Sequence, residues 1–113
     1  MNIFFPRKFN DPSTSDFIVR CQDKQFHLHQ ITLQEKSEYF VAIFHNDCIE
    51  KRDKVLKIND FPPKVVESFL RYFYSGVLPT LGKFTELISL MKIADKYNAN
   101  HLFDAIDSFG WYS

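Results

Sequence analysis

The chain has 113 residues, of which 45% are hydrophobic and 17% aromatic, and its 14 basic side chains balance its 14 acidic ones. This length fits one compact domain, and the thirteen phenylalanines can form a core without disulfides or metal. Because the sequence has no basic stripe, no long apolar run and no secretory signal pattern, we expect no binding to nucleic acid or membrane. We expect the protein in the cytoplasm, the nucleus or both.

The first half of the chain predicts a β-hairpin followed by two helices. Residues 17–21 and 25–28 alternate around a polar turn, as the strands of a hairpin do. From residue 31 the apolar spacing changes to three and four, which predicts two helices, and Ser37 is placed to cap the second. Residues 46–53 are polar and mixed in charge, so we expect a loop there.

The second half predicts one short strand, at 55–58, and at least three helices. A helix opening at Pro62 and Pro63 carries apolar side chains at positions 66, 69, 70 and 73 and is expected to stop at Gly76. Further helices are expected at about 84–97 and from Asn100, which is placed to cap the last one. This order of elements predicts an α+β domain with more helix than sheet.

No pattern in the sequence supports catalysis, a cofactor or a metal site. The three glycines form no phosphate-binding loop, and the nucleophile-elbow and zinc-helix motifs are missing. A zinc site could recruit Cys21, Cys48, His27 and His29, but these residues lack the close paired spacing of such sites. A thiol–imidazole pair could form from Cys21 and one of the two histidines, but nothing in the sequence places them in a cleft. We expect reduced structural thiols, one exposed and one hydrogen-bonded histidine, and a protein that is not an enzyme.

Three segments in the first half of the chain form a pattern in fixed register. An Asp precedes a hydrophobic strand as D-F-I-V at 16–19, and F-H-L-H-Q-I-T-L at 26–33 and S-E-Y-F at 37–40 follow it. With this pattern, residues 16–44 resemble a BTB/POZ domain. Later matches are the third strand, the Y-S-G at 74–76 that ends a helix, and the A-D-K-Y at 94–97. The resemblance covers residues 16–107, between an irregular N-terminal segment at 1–15 and a C-terminal tail at 108–113.

The resemblance implies a small three-stranded sheet flanked by helical hairpins, in a protein–protein interaction module that self-associates. Many members of the family are substrate adaptors of cullin-RING ubiquitin ligases, which implies a cullin scaffold as a second partner. The alternative is an oligomerisation domain of a transcriptional regulator or structural scaffold that recruits no ligase. No substrate-recognising domain is apparent in the sequence, so we expect that part to be supplied elsewhere.

The resemblance also implies a partner-binding site after the second helix. In ligase adaptors a hydrophobic residue, any residue and a glutamate contact the cullin there. The resemblance assigns Phe44 to this partner-binding site, and counted from Phe44 the matching triplet is Cys48, Ile49 and Glu50. A small apolar side chain beside a carboxylate suits a groove with a basic rim.

Two further regions are assigned by the resemblance. In transcription-factor members an Asp and a basic residue form a charged pocket for corepressors, and the corresponding positions here are Asp16 and Gln30. Because Gln30 is neutral, we do not expect corepressor recruitment through this pocket. The dimer-forming N-terminal helix of the family has no counterpart at 2–15, where Phe4, Phe5 and Phe9 are expected to pack on the fold or on a second copy.

Overall fold

The computed structural model describes residues 7–78 and 83–108. Within these ranges three strands and six helices form the predicted α+β architecture. No helix in this part of the chain has the length and apolarity needed to cross a bilayer. The elements in chain order are β1 (Phe17–Cys21), β2 (Lys24–Leu28), α1 (Gln30–Gln34), α2 (Glu38–His45), α3 (Ile49–Asp53), β3 (Val55–Lys57), α4 (Pro63–Ser75), α5 (Phe84–Lys96) and α6 (Asn100–Asp107).

The sheet has the strand order β2-β1-β3. β1 and β2 form the predicted antiparallel hairpin, in which Phe17 lies opposite Leu28. Its tight turn is made by Gln22, which adopts a left-handed conformation with φ 56°. β3 runs parallel to β1 with Leu56 opposite Val19, so helices α1 to α3 form the crossover that a parallel pair requires.

Two predicted helix boundaries are confirmed by their hydrogen bonds. The backbone N–H of Phe40 donates to the Ser37 hydroxyl over 3.2 Å, so Ser37 caps α2 as predicted. The same hydroxyl donates to the carbonyl of Tyr97 over 2.6 Å, which joins the start of α2 to the end of α5. Gly76 ends α4 with φ 69°, a conformation that suits glycine.

The prediction of a loop across residues 46–53 is wrong in its second half, because Ile49–Asp53 form helix α3. None of its side chains is buried, so the sequence has no apolar periodicity to reveal the helix. Glu50 in the first turn and Arg52 in the last complement the helix dipole, and Lys54 ends the helix with φ 60°.

The predicted cap at Asn100 is also wrong, since Asn100 is the first helical residue of α6 and Ala99 precedes it without a side-chain cap.

The core is organised around the ring of Phe40, which is fully buried. Four aromatic rings, from β1, α2, α4 and the residue that follows α5, lie with their centroids between 5.9 and 6.4 Å from it, and the adjacent Tyr39 ring lies at 5.7 Å. This side chain of α2 therefore links the sheet to α4 and to the C-terminal end of α5. The four rings are those of Phe17, Phe44, Phe73 and Tyr97.

Replacing Phe40 by alanine removes this shared contact and leaves a cavity among the four rings. We expect Phe40→Ala to lower the free energy of unfolding by about 3–5 kcal/mol, as measured by urea denaturation followed by circular dichroism. Ile31→Ala is the matched control, because Ile31 is 55% exposed on α1 and its truncation leaves no buried cavity. Equal stability losses in the two variants would contradict the central role of Phe40.

Candidate protein-interaction site

Residues 44–50, which we call the α2–α3 corner, join the end of α2 to the start of α3. Phe44 is only 6% exposed, and its ring lies edge-on to that of Phe17 with 4.9 Å between centroids. The corner is therefore fixed to the sheet by a buried aromatic contact. Phe44 cannot itself reach a partner, and its contribution to the site is to hold the corner in place.

The apolar side chain that a partner can reach at this corner is Ile49. Cys48 is half-buried, and its thiol donates a weak hydrogen bond of 3.5 Å to the carbonyl of Ile43. Ile49, by contrast, is 61% exposed. The family resemblance implied Cys48 as the hydrophobic member of the triplet, whereas the exposed apolar surface belongs to Ile49.

Glu50 interacts electrostatically with Tyr39, a residue of α2 that the sequence did not indicate as part of the site. Tyr39 is half-buried, and its ring lies edge-on to that of Tyr97 at 4.8 Å. Burial, and to a smaller degree the charge of Glu50, raise the pKa of the Tyr39 hydroxyl. The corner thus presents an exposed apolar side chain followed by a carboxylate, a pair that suits an apolar contact next to a basic group.

Asp16 and Gln30 are joined by two hydrogen bonds. The backbone N–H of Gln30 donates to Oδ1 of Asp16 over 2.8 Å, and the Gln30 side-chain amide donates to the Asp16 carbonyl over 3.1 Å. This link holds the start of α1 against the residue before β1. The pair contains one negative charge and no positive one, as the sequence implies.

His29 is 4% exposed and has hydrogen-bond partners on both ring nitrogens. Nε2 lies 2.8 Å from the Thr14 hydroxyl and Nδ1 lies 2.8 Å from the Tyr74 hydroxyl, which also accepts the His29 backbone N–H. Burial raises the pKa of Tyr74 to about 12, so this hydroxyl stays protonated. Because β2 ends at Leu28, His29 does not share a strand face with His27, which is half-buried rather than exposed.

Phe9 packs on its own domain. Its ring lies 5.9 Å from that of Phe26 and 5.7 Å from that of Tyr74, and the Arg71 guanidinium lies 4.5 Å above it. Of the two arrangements expected for the N-terminal phenylalanines, Phe9 adopts packing on the fold. Phe4 and Phe5 lie outside the described residues.

The cysteines and histidines considered as ligands are held in separate places. Cys21 is fully buried in β1, and its thiol donates to the carbonyl of Phe61 at 3.5 Å. Burial raises the pKa of the Cys21 thiol, which disfavours the reactive thiolate. Across residues 7–78 and 83–108, no three His, Cys, Asp or Glu side chains lie close enough together to hold a metal ion.

Comparison with known proteins agrees with this architecture. A family model described as BTB/POZ domain matches residues 5–110. Kelch-like protein 24a of Danio rerio is 37% identical over 62 residues, which are 55% of this chain and 10% of that protein. TD and POZ domain-containing protein 4 of Mus musculus is 24% identical over 94 residues, which are 83% of this chain and 25% of that protein. The chain thus spans between a tenth and a quarter of the length of these relatives.

Among solved structures, the BTB domain of zebrafish PATZ1 has a TM-score of 0.71 and 22% sequence identity. The match covers 88% of this chain and 77% of that one. It confirms the predicted fold, a small three-stranded sheet flanked by helices.

The buried His29 makes stability depend on pH. Burial, with a smaller contribution from Arg7, lowers the pKa of His29 below its usual 6.5, although Asp16 and Asp11 oppose the shift. The unfolded chain therefore takes up a proton at a higher pH than the folded one. The stabilisation by neutral His29 is complete above the unfolded pKa and decreases as the pH falls towards the folded pKa.

We expect the melting temperature to fall between about pH 7 and pH 5, and His29→Gln to reduce this dependence because its side chain does not titrate. Differential scanning calorimetry across this range measures the effect. His101→Gln is the control, since His101 is exposed on α6 and its replacement should keep the wild-type slope. An unchanged slope in His29→Gln would contradict the assignment.

Proposed function

The chain belongs to the BTB/POZ domain family of protein–protein interaction modules, and we propose that it is an adaptor domain that self-associates and docks a cullin scaffold through the α2–α3 corner. The observation that carries the proposal is the exposed Ile49 next to Glu50 at the start of α3. In the ligase adaptors that the sequence resembles, an apolar residue and a glutamate at this place contact the cullin.

The first support is the rigidity of the corner beneath Ile49. Phe44 is packed against Phe17, and the Cys48 thiol is bonded back to α2, so the exposed side chain stands on a fixed base. A side chain that is already positioned loses little conformational freedom when a partner binds. Apolar groups held in this way are typical centres of binding energy in protein interfaces.

The second support is the charge beside it. Glu50 is half-buried in the first turn of α3, and its charge acts on the Tyr39 hydroxyl. A basic side chain on the partner would pair with this carboxylate, and complementary charges of this kind discriminate between partners. The corner therefore selects a surface with an apolar hollow and an adjacent cation.

Self-association is supported by apolar side chains that remain exposed away from the corner. Ile31 on α1 is 55% exposed, and Val77 beyond the end of α4 is 66% exposed. Exposed apolar side chains of this size favour contact with a second protein surface. The assignment of Phe4, Phe5 and Phe9 to the contact between copies stays a prediction, with Phe9 already packed within its own domain.

Isothermal titration calorimetry with a cullin N-terminal domain tests the docking site. We expect Ile49→Asp and Glu50→Lys each to weaken binding by about tenfold or more, because one places a charge in the apolar contact and the other reverses the charge of the pair. The matched controls are Ile31→Asp and Glu35→Lys, which make the same changes on α1 or at its end. Circular dichroism verifies that all four variants are folded.

The possible results have different meanings. If the wild-type domain gives no binding heat, the adaptor function is wrong and the oligomerisation domain without ligase recruitment is supported instead. If wild-type binding survives both corner variants and is lost in an α1 control, the adaptor function stands and the site is wrong.

Self-association has its own measurement. Light scattering coupled to size exclusion should give about twice the 13.4 kDa mass of one chain at high micromolar concentration. A monomeric mass under these conditions would contradict the proposal of self-association without affecting the cullin-docking site.

A further inference from the structure

The outer face of the sheet carries side chains that the docking site does not use. Because side chains alternate along a strand, Phe17, Val19 and Cys21 of β1 enter the core, while Ile18 and Arg20 lie on the opposite face. The strand register extends this alternation across the sheet in two rows. The first row is mainly apolar and the second is cationic. The apolar row consists of His27, Ile18 and Val55, and the cationic row consists of Gln25, Arg20 and Lys57.

Arg20 and Lys57 lie next to each other in the cationic row, and neither has an anionic partner in the part of the chain that the structure describes. None of the four ion pairs within residues 7–78 and 83–108 includes either side chain, and neither side chain makes a hydrogen bond there. Residues 1–6, 79–82 and 109–113 contain no Asp or Glu. A side-chain carboxylate for this row therefore has to come from another molecule.

This arrangement has a physical cost that an anion would remove. Neighbouring strands are about 4.8 Å apart, and like charges opposite each other on adjacent strands are destabilising. Arg20 is half-buried, and its guanidinium forms no ion pair within residues 7–78 and 83–108. The fixed fork of N–H donors on a guanidinium matches the two oxygens of a carboxylate, and the Lys57 ammonium can pair with the same group.

We propose that this face docks an acidic segment of a partner protein, with a carboxylate bound between Arg20 and Lys57. An apolar side chain of the segment covers Ile18. Along β1, Ile18 and Arg20 are about 7 Å apart, which equals the spacing of alternate residues in an extended peptide. The segment accordingly carries an apolar and an acidic residue two positions apart.

A protein segment fits this face better than a nucleic acid does. The chain has no net charge, and the cationic row lies directly beside an apolar one. Protein surfaces that bind nucleic acid instead carry extended positive charge that follows the negative phosphate backbone. The face is also made of residues other than those of the α2–α3 corner, so the proposal does not depend on cullin binding.

The test is a titration of the 113-residue chain, labelled with ¹⁵N, with the peptide acetyl-GVTEVEG-amide. We expect saturable shifts of the backbone amides in β1 and β3, centred on Arg20 and Lys57. The control peptide acetyl-GVTQVQG-amide keeps the shape and removes the charge, and we expect it to bind about tenfold more weakly or worse. A deoxythymidine oligomer of similar charge tests the polyanion alternative.

Variants separate binding from folding. Lys57→Glu places a carboxylate beside Arg20, so we expect it to raise the melting temperature by about 1–5 °C while it abolishes peptide binding. Arg20→Gln should weaken the peptide about tenfold. Lys92→Gln is the matched control, because Lys92 is exposed on α5 and its loss should leave binding unchanged.

Four results would overturn the proposal. These are the absence of saturable shifts at millimolar peptide, equal affinity for the glutamine peptide, peptide binding that survives Lys57→Glu, and tighter binding of the deoxythymidine oligomer. A rise in melting temperature together with lost peptide binding in Lys57→Glu would support it, since a merely unfolded variant gives the opposite change in stability.

Discussion

The ring of Phe40 is the contact on which the rest of the molecule depends, because it links the sheet to α4 and to the C-terminal end of α5. Both ends of α2 are tied to this centre. At its start the Ser37 hydroxyl donates a hydrogen bond to the carbonyl of Tyr97, the residue that caps α5. At its end Phe44 packs against β1. The exposed surface at the α2–α3 corner is consequently an extension of the core, and its geometry follows from aromatic packing rather than from the corner's own sequence.

The sequence predicts those elements that have one face in the core. The α4 stripe of Val66, Phe69, Leu70 and Phe73 is fully buried, because burial is what imposes the apolar spacing in the first place. Helix α3 escapes prediction for the same reason, since it buries none of its side chains and its stability comes from end effects and from the chain on either side. The sequence thus predicts well whether a segment with a buried face is a helix or a strand, and predicts this poorly for exposed segments.

The site was only partly predictable, because its contacts join residues distant in sequence. The triplet at 48–50 and the pocket positions Asp16 and Gln30 are implied by the family resemblance, and their role in binding stays a prediction. The exposure of Ile49, the effect of Glu50 on Tyr39, and the bonds of His29 to Thr14 and Tyr74 cannot be read from the sequence. These depend on how α2, α4 and the N-terminal segment pack together, which no local pattern encodes. The rows on the outer sheet face likewise require the strand register.

The parallel pairing of β1 with β3 also sets the order in which the sheet can assemble. The hairpin of β1 and β2 is closed by a turn of two residues, so its contacts are local. β3 can join only after the chain has returned across residues 22–54, and closing so long a loop has an entropic cost that the hairpin avoids. Helices α1 to α3 shorten that search by folding the intervening chain into compact units. The helices that separate the two strands in sequence therefore help to bring them together in time.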